Sequence, residues 1–167
     1  MPDASPLPNR IPQIGARGPE PTGAAPGFSM NAQNPNLEWL LENLVGNTHG
    51  AVHALVLSKD GLKLCHTAGL TVDKADQLAA IAAGVQALSH GASAEFGDGS
   101  GGVRNSMTEF HGGILFIVEA GIGAHLAVIA AEDADVGLIG HNMDELVEQI
   151  GAFLTAAPRY APAGPTP

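Results

Sequence analysis

Basic residues are scarce in this chain. Lys and Arg together number 7 in 167 residues, against 17 Asp and Glu, for a formal charge of −10. A surface this acidic repels phosphodiester backbones and anionic lipid, so nucleic-acid binding and polybasic membrane docking are excluded as expectations. Cysteine is scarcer still. Cys65 stands alone, which rules out an intramolecular disulfide framework and any multi-cysteine zinc or iron–sulfur site. Aromatic residues make up 4% of the chain, and no apolar run approaches the roughly 18 residues of a membrane span. The opening Met-Pro-Asp-Ala-Ser-Pro-Leu-Pro-Asn-Arg has no apolar stretch of the secretory type. We expect a reduced, cytoplasmic protein.

Proline is abundant but absent from the middle. Eight of the twelve prolines lie at or before Pro35 and four at or after Pro158, with none from Asn36 to Ala157. Residues 1–35 mix Pro, Gly, Ala, Asn and Ser without a period of 2 or 3.6, so they bury too little apolar surface to offset ordering entropy. They are expected to form a disordered arm, and residues 158–167 a short tail of the same kind. We read the arm as a solvated leader in preference to a partner-binding segment, because no PxxP run flanked by basic residues stands out. The folded domain is then expected over 36–157. That stretch has 15 acidic residues against Lys59, Lys63, Lys74 and Arg104, a formal charge of −11 with a single arginine.

Within it, Asn36 is placed to cap a helix carrying Leu37, Leu40, Leu41, Leu44 and Val45 on one face, with Gly46-Asn47 as its stop. Trp39, beside that stripe, is expected to pack in the core. Two β-type runs, 51–58 and 62–67, are joined by Lys59-Asp60-Gly61, a strong hairpin signal. A long helix begins at Thr71 or Asp73, with Leu78, Ile81, Val85 and Leu88 as its stripe among small alanines, and Gly91 and Gly97 bracketing its end. Three further β-type runs, 103–110, 114–119 and 124–131, are linked by tight glycine-rich turns and so are antiparallel neighbours. The apolar run Ile114–Val118 is expected to be central and covered on both faces, and the polar run Val103–Phe110 to be an edge strand. A last helix from Ala134-Asp135 presents Val136, Ile139, Met143, Leu146, Val147, Ile150 and Leu154 on one side. The implied architecture is an α/β (α+β) sandwich of order α-β-β-α-β-β-β-α, a five-stranded antiparallel sheet with helices on both faces.

Catalytic chemistry is missing. There is no phosphate-binding Gly-x-x-x-x-Gly-Lys motif. The glycine-rich Gly97-Asp-Gly-Ser-Gly-Gly102 follows a helix rather than a strand and lacks a following lysine, so we read it as a flexible connector. Seven histidines are scattered singly; His49 and His53 are four apart but straddle Gly50, so no metal site is expected. Cys65 alternates along a β-run and reads as a buried small hydrophobe rather than a nucleophile. The pairs Glu132/Asp133 and Asp144/Glu145 are adjacent in sequence and do not suggest carboxyls facing across a cleft. No cofactor, metal or catalytic residue is expected.

Several phrases together resemble the Roadblock/LC7 family. They are Leu37-Glu-Trp-Leu-Leu-Glu, Gly50-Ala-Val-His-Ala-Leu-Val-Leu-Ser-Lys-Asp-Gly-Leu, Ala75-Asp-Gln-Leu-Ala-Ala-Ile-Ala-Ala-Gly, Gly112-Gly-Ile-Leu-Phe-Ile-Val, and the stretch from Leu126 to Gly140. They run in order over about residues 36–156. The acidic, Ala/Gly-rich style with a Pro-rich leader is similar to actinobacterial members, which often stand in conservon operons beside a sensor-kinase-like protein, a DNA-binding-like protein and a Ras-like GTPase. The resemblance implies a profilin-like fold and a homodimer in which the third strands pair into a ten-stranded sheet and the second helices lie side by side. Its interface is expected to take Leu78, Ile81, Val85 and Leu88 from the long helix, and Val103, Arg104, Asn105, Ser106, Met107 and Thr108 from the third strand. It also implies a non-enzymatic scaffold or regulator of a small Ras-like GTPase, recruited to a membrane by partners if at all. Arg104, the lone arginine of the fold, is expected at the dimer contact or in solvent rather than as a trans arginine finger. The competing expectation is a small-molecule sensor of PAS-, GAF- or profilin-like layout, which requires a lined cavity where the alanine-rich helix suggests a filled interior.

Overall fold

The computed structural model describes residues 35–121 and 123–155; the expected arm (1–35, but for the backbone of Pro35) and the tail (158–167) lie outside the described residues, as does the side chain of Leu154. The elements are α1 (Pro35–Asn47), β1 (Ala51–Ser58), β2 (Lys63–His66), α2 (Val72–Phe96), β3 (Asn105–Phe110), β4 (Gly113–Glu119), β5 (Ala124–Ala130) and α3 (Val136–Thr155). All strand pairs are antiparallel, and the sheet order is β2-β1-β5-β4-β3. The order and class expected from the pattern are therefore observed.

Alternation along the strands divides the interior into two layers. Ala54 and Val56 of β1, Ile114, Phe116 and Val118 of β4, and Leu126 and Val128 of β5 point to one face. There they meet Leu37, Leu41 and Leu44 of α1 and Ile139, Met143, Leu146 and Ile150 of α3. Leu55, Leu57, Leu115, Ile117 and Ala127 point the other way, under Ala75, Leu78, Ala79 and Ala82 of α2. Successive strand side chains necessarily face opposite sides, so a continuous apolar run needs cover on both. Each large side chain removed from water contributes about 1.5–3 kcal/mol. The methyl side chains of α2 let that helix lie close to the sheet.

The local devices are specific. Thr71 caps α2 through its hydroxyl, which accepts from the Lys74 N–H at 3.4 Å. Asp135 does the same for α3, accepting from Leu138 N–H at 3.0 Å. In the β1–β2 turn the Ser58 hydroxyl accepts from Leu62 N–H at 3.1 Å, and Gly61 takes φ +86°. Buried Thr67 joins the strand through its hydroxyl, which accepts from Ala54 N–H at 3.2 Å. Lys63 pairs with Asp76 and ties β2 to the start of α2.

Three expectations are corrected. α1 begins at Pro35, a residue suited to a first helical turn, so Asn36 lies inside the helix instead of capping it. The central strand is β5; β4 is one place from the edge, although it is covered on both faces as expected. The end of α2 at Phe96 falls between Gly91 and Gly97, as expected. Val136 shares the angle of the stripe but is exposed at the first turn of α3, where the helix reaches the core only from Ile139 onward.

A candidate self-association surface on the long helix and the edge strand

β3 is the most polar strand and the last in the sheet, and its residues are exposed or half-buried throughout. Its inner edge pairs with β4 from Asn105↔Val118 to Phe110↔Gly113. Its outer edge faces no strand among the described residues and so offers a row of backbone donors and acceptors. The Ser106 hydroxyl lies 3.1 Å from the Ser89 hydroxyl and 3.4 Å from Gln86 Oε1, which fixes β3 against α2.

The adjoining flank of α2 is apolar where a solvated helix would be polar. Ile81 is 56% exposed and Leu88 78%, with half-buried Val85 between them and Phe96 exposed a further two turns along. Positions 81, 85, 88, 92 and 96 follow helical spacing and form one stripe. Gly84 and Gly91 leave open space beside it. Phe110 of β3, exposed on the same side of the sheet as Ser106, continues the apolar surface onto the sheet edge, whereas exposed Met107 alternates to the opposite face, beside Phe116. An edge strand next to an apolar helix flank is self-complementary about a two-fold axis: strand can pair with strand while helix packs on helix.

Of the residues expected here, Ile81, Leu88, Met107 and Thr108 are exposed, and Val85 and Ser106 are half-buried. Leu78 is corrected. At 8% exposure it packs into its own core with Leu55 and Ile117, about 80° around the helix from exposed Leu88. The expected strand start is corrected: Val103 and Arg104 immediately precede β3, which begins at Asn105. Arg104 is exposed at that entry. Phe96 and Phe110 were not expected in this surface. The helical period from Leu88 through Ala92 reaches Phe96, whereas Phe110 offered no such signal.

The opposite face holds the largest departure. Trp39 is 61% exposed and does not enter the core. It stands on one wall of a groove of about 480 Å³ between α1 and α3, with Leu138 and Gln149 on the other wall. Helical spacing accounts for this. Leu37, Leu41 and Leu44 take the inward face, and position 39 lies some 160° from position 37 and from 41 on either side.

The glycine-rich loop is not a free connector. Its Gly102 carbonyl accepts from the Ser93 hydroxyl at 2.8 Å, and Gly101, buried with φ +74°, lies so close to the His90 ring that a Cβ would fall 2.4 Å from it. The loop and α2 bound a second concavity of about 440 Å³ that also includes Lys59, Glu119 and His125. Gln86 Nε2 and His125 Nδ1 are buried there without a hydrogen-bond partner among the described residues. Burial lowers the His125 pKa, with Glu119 acting against that shift and Lys59 adding to it. Cys65 is buried, and its thiol is pushed up to about 11 by burial and by the Glu38 and Glu42 carboxylates. Among the described residues no three His, Cys, Asp or Glu side chains gather as a metal site, and no helix is long and apolar enough to cross a membrane.

The helix order, the five-stranded antiparallel sheet and its two-sided cover define an α/β sandwich of the profilin-like class. Profilin IB of Acanthamoeba castellanii shares that fold at 16% identity and a TM-score of 0.51, over 70% of this chain and 98% of that one. The chain belongs to the Roadblock/LC7 family: the sequence pattern of the Roadblock/LC7 domain matches residues 37–130. A Roadblock/LC7 domain from Streptomyces avermitilis is 38% identical with a TM-score of 0.67, over 70% of this chain and 96% of that chain. The gliding protein MglB of Thermus thermophilus has the same fold at 22% identity and a TM-score of 0.66, over 75% of this chain and 93% of that one. No curated protein matches the chain in sequence.

Proposed function

We propose that the protein is a non-enzymatic, homodimeric scaffold or regulator of a small Ras-like GTPase in bacterial cytoplasmic signalling, its working module spanning residues 36–157. The observation that carries this reading is the apolar flank of α2 lying beside the open edge of β3. Two-fold pairing there would extend the sheet to ten strands and cover Ile81 and Leu88 together. Family membership supports a regulatory role, and sensor-kinase-like and other conservon products are the further partners it suggests. An acidic regulator favours a GTPase with a basic docking face, an association that added salt weakens. Any acceleration of GTP hydrolysis would come from repositioning groups on the GTPase itself. Arg104 lies at the entry to the pairing strand, where dimerisation would engage it or leave it in solvent.

The test is a pull-down of the Ras-like GTPase encoded beside this protein, loaded with GDP or with a non-hydrolysable GTP analogue. Retention that depends on the nucleotide supports the reading; equal failure in both states removes the GTPase and leaves the family assignment standing. The concavity beside Gln86 and His125 favours one competing reading, a small-molecule sensor. A thermal-shift panel of metabolites separates them, since a sensor rises in Tm with one of its members and a scaffold with none.

A further inference from the structure

We infer that a second copy of this chain pairs its β3 with β3 in a single register, with the two-fold axis beside Met107. This rests on the α2–β3 homodimer proposed above and names the residues that meet across it. A two-fold axis along the sheet normal leaves each side chain on its own face of the sheet. Residues directly opposite each other share a face, so the axis passes beside one residue of the strand and never between two. In β3, Ser106, Thr108 and Phe110 take the α2 side, while Asn105, Met107 and Glu109 take the other. The terminal strand thus exposes an apolar side chain on both faces, Phe110 on one and Met107 on the other. Water on the outer edge gives neither a partner; a second β3 gives both one.

Side-chain chemistry selects the register. An axis beside Glu109 sets two carboxylates opposite each other, and one beside Thr108 sets Glu109 opposite Met107. An axis beside Ser106 sets Glu109 opposite Val103 and Met107 opposite Asn105. One beside Asn105 carries the pairing out of β3 into Gly101 and Gly102, which are held against His90 and Ser93 of α2. An axis beside Met107 matches every pair. Met107 meets Met107, the hydroxyl of Ser106 faces that of Thr108, and the Asn105 amide faces the Glu109 carboxylate as its donor. Arg104, at the entry to β3, then lies opposite the exposed ring of Phe110, a cation–π pair for the single arginine of residues 36–157.

The helix above agrees independently. The stripe of Ile81, Val85, Leu88, Ala92 and Phe96 extends seven residues to one side of Leu88 and eight to the other, so its centre is Leu88. The next residue, Ser89, places its hydroxyl 3.1 Å from that of Ser106, the neighbour of Met107. The centre of the stripe therefore stands over the centre of β3, and one axis can serve both. About that axis the two α2 helices run antiparallel, Leu88 meets its mate, and Ile81 faces Phe96 of the second copy. An axis nearer either end of β3 would leave half of the stripe in water.

Cysteine cross-linking reads the axis directly. Opposite Cα atoms in an antiparallel pair are about 4.5–5.5 Å apart, within disulfide range. With the axis beside Met107, residue 106 or 108 lies about 8 Å from its own mate, beyond that range. The experiment oxidises three full-length variants, Ser106→Cys, Met107→Cys and Thr108→Cys, with the native chain as control because its Cys65 is buried. Met107→Cys should form the covalent dimer about ten-fold faster, or more, than either neighbour. Asn105→Cys and Glu109→Cys should cross-link when the two chains are mixed, and neither when alone. Equal rates, or fastest cross-linking through residue 106 or 108, in chains that sediment as dimers would overturn the register and leave the dimer standing. Chains that sediment only as monomers would overturn both.

Discussion

The proposed dimer turns on Leu88, the most exposed aliphatic residue of the α2 stripe at 78%. In the protomer its side chain is mostly in water, so Leu88→Ala removes little that the fold depends on; such surface changes fall within about 0.5 kcal/mol. In a two-fold dimer the same side chain is buried twice. Full burial of a leucine is worth about 1.5–3 kcal/mol, of which roughly three quarters remains to be gained here. Two copies give about 2–5 kcal/mol, equivalent to weakening the dimer by roughly 30- to 5,000-fold. Leu88→Asp adds like charges across the axis and should leave only monomer. Sedimentation equilibrium across a concentration series measures the effect directly. Leu138→Ala on the far face serves as control and should leave the constant unchanged. A Leu88→Ala protein that associates as tightly as the native chain, or a native chain that stays monomeric at micromolar concentration, would refute the interface.

The remaining predictions concern the fold that presents this surface. Met143→Ala, at a position with 0% exposure between α3 and the sheet, should cost about 2–5 kcal/mol, read as a lowered urea midpoint at unchanged slope. Gly50→Ala should destabilise by more than about 1 kcal/mol in the same assay, because φ is +88° and a Cβ would sit 2.5 Å from that of Ala134. Cys65 holds its proton in the fold up to about pH 11, whereas the unfolded thiol ionises near 9. The unfolded state therefore loses its proton first as pH rises, so stability falls between about pH 9 and 11. Urea midpoints through that window should drop, and Cys65→Ala should remove that part of the drop. The native thiol should also resist alkylation until the protein unfolds.

Much of the architecture follows from one-dimensional pattern. The Asp60-Gly61 turn, the apolar runs of β1 and β4 and the stripe from Ile139 to Ile150 each specify an element and its covered faces through local geometry, whose periods are 2 and 3.6. The polarity of β3 marks it as an edge for the same reason. The family phrases and the charge over residues 36–157 are likewise properties of the chain alone.

Tertiary structure decided which side of each helix finds a partner. Leu78 and Leu88 are both leucines on α2, yet one is buried against Leu55 and Ile117 while the other stands in water. The difference is where the sheet lies beneath the helix, which no period along α2 specifies because alanines supply the inward face. Trp39 is the same case reversed. Three leucines on α1 fill the space above the sheet, and the largest side chain of the segment is left outside. Strand order is also a long-range property. The pairing of β1 with β5 joins residues more than 60 positions apart and makes β5 central. It leaves β3 free beside the apolar flank of α2. The sequence determines the elements through local periodicity; their packing alone determines which apolar residues remain for a partner.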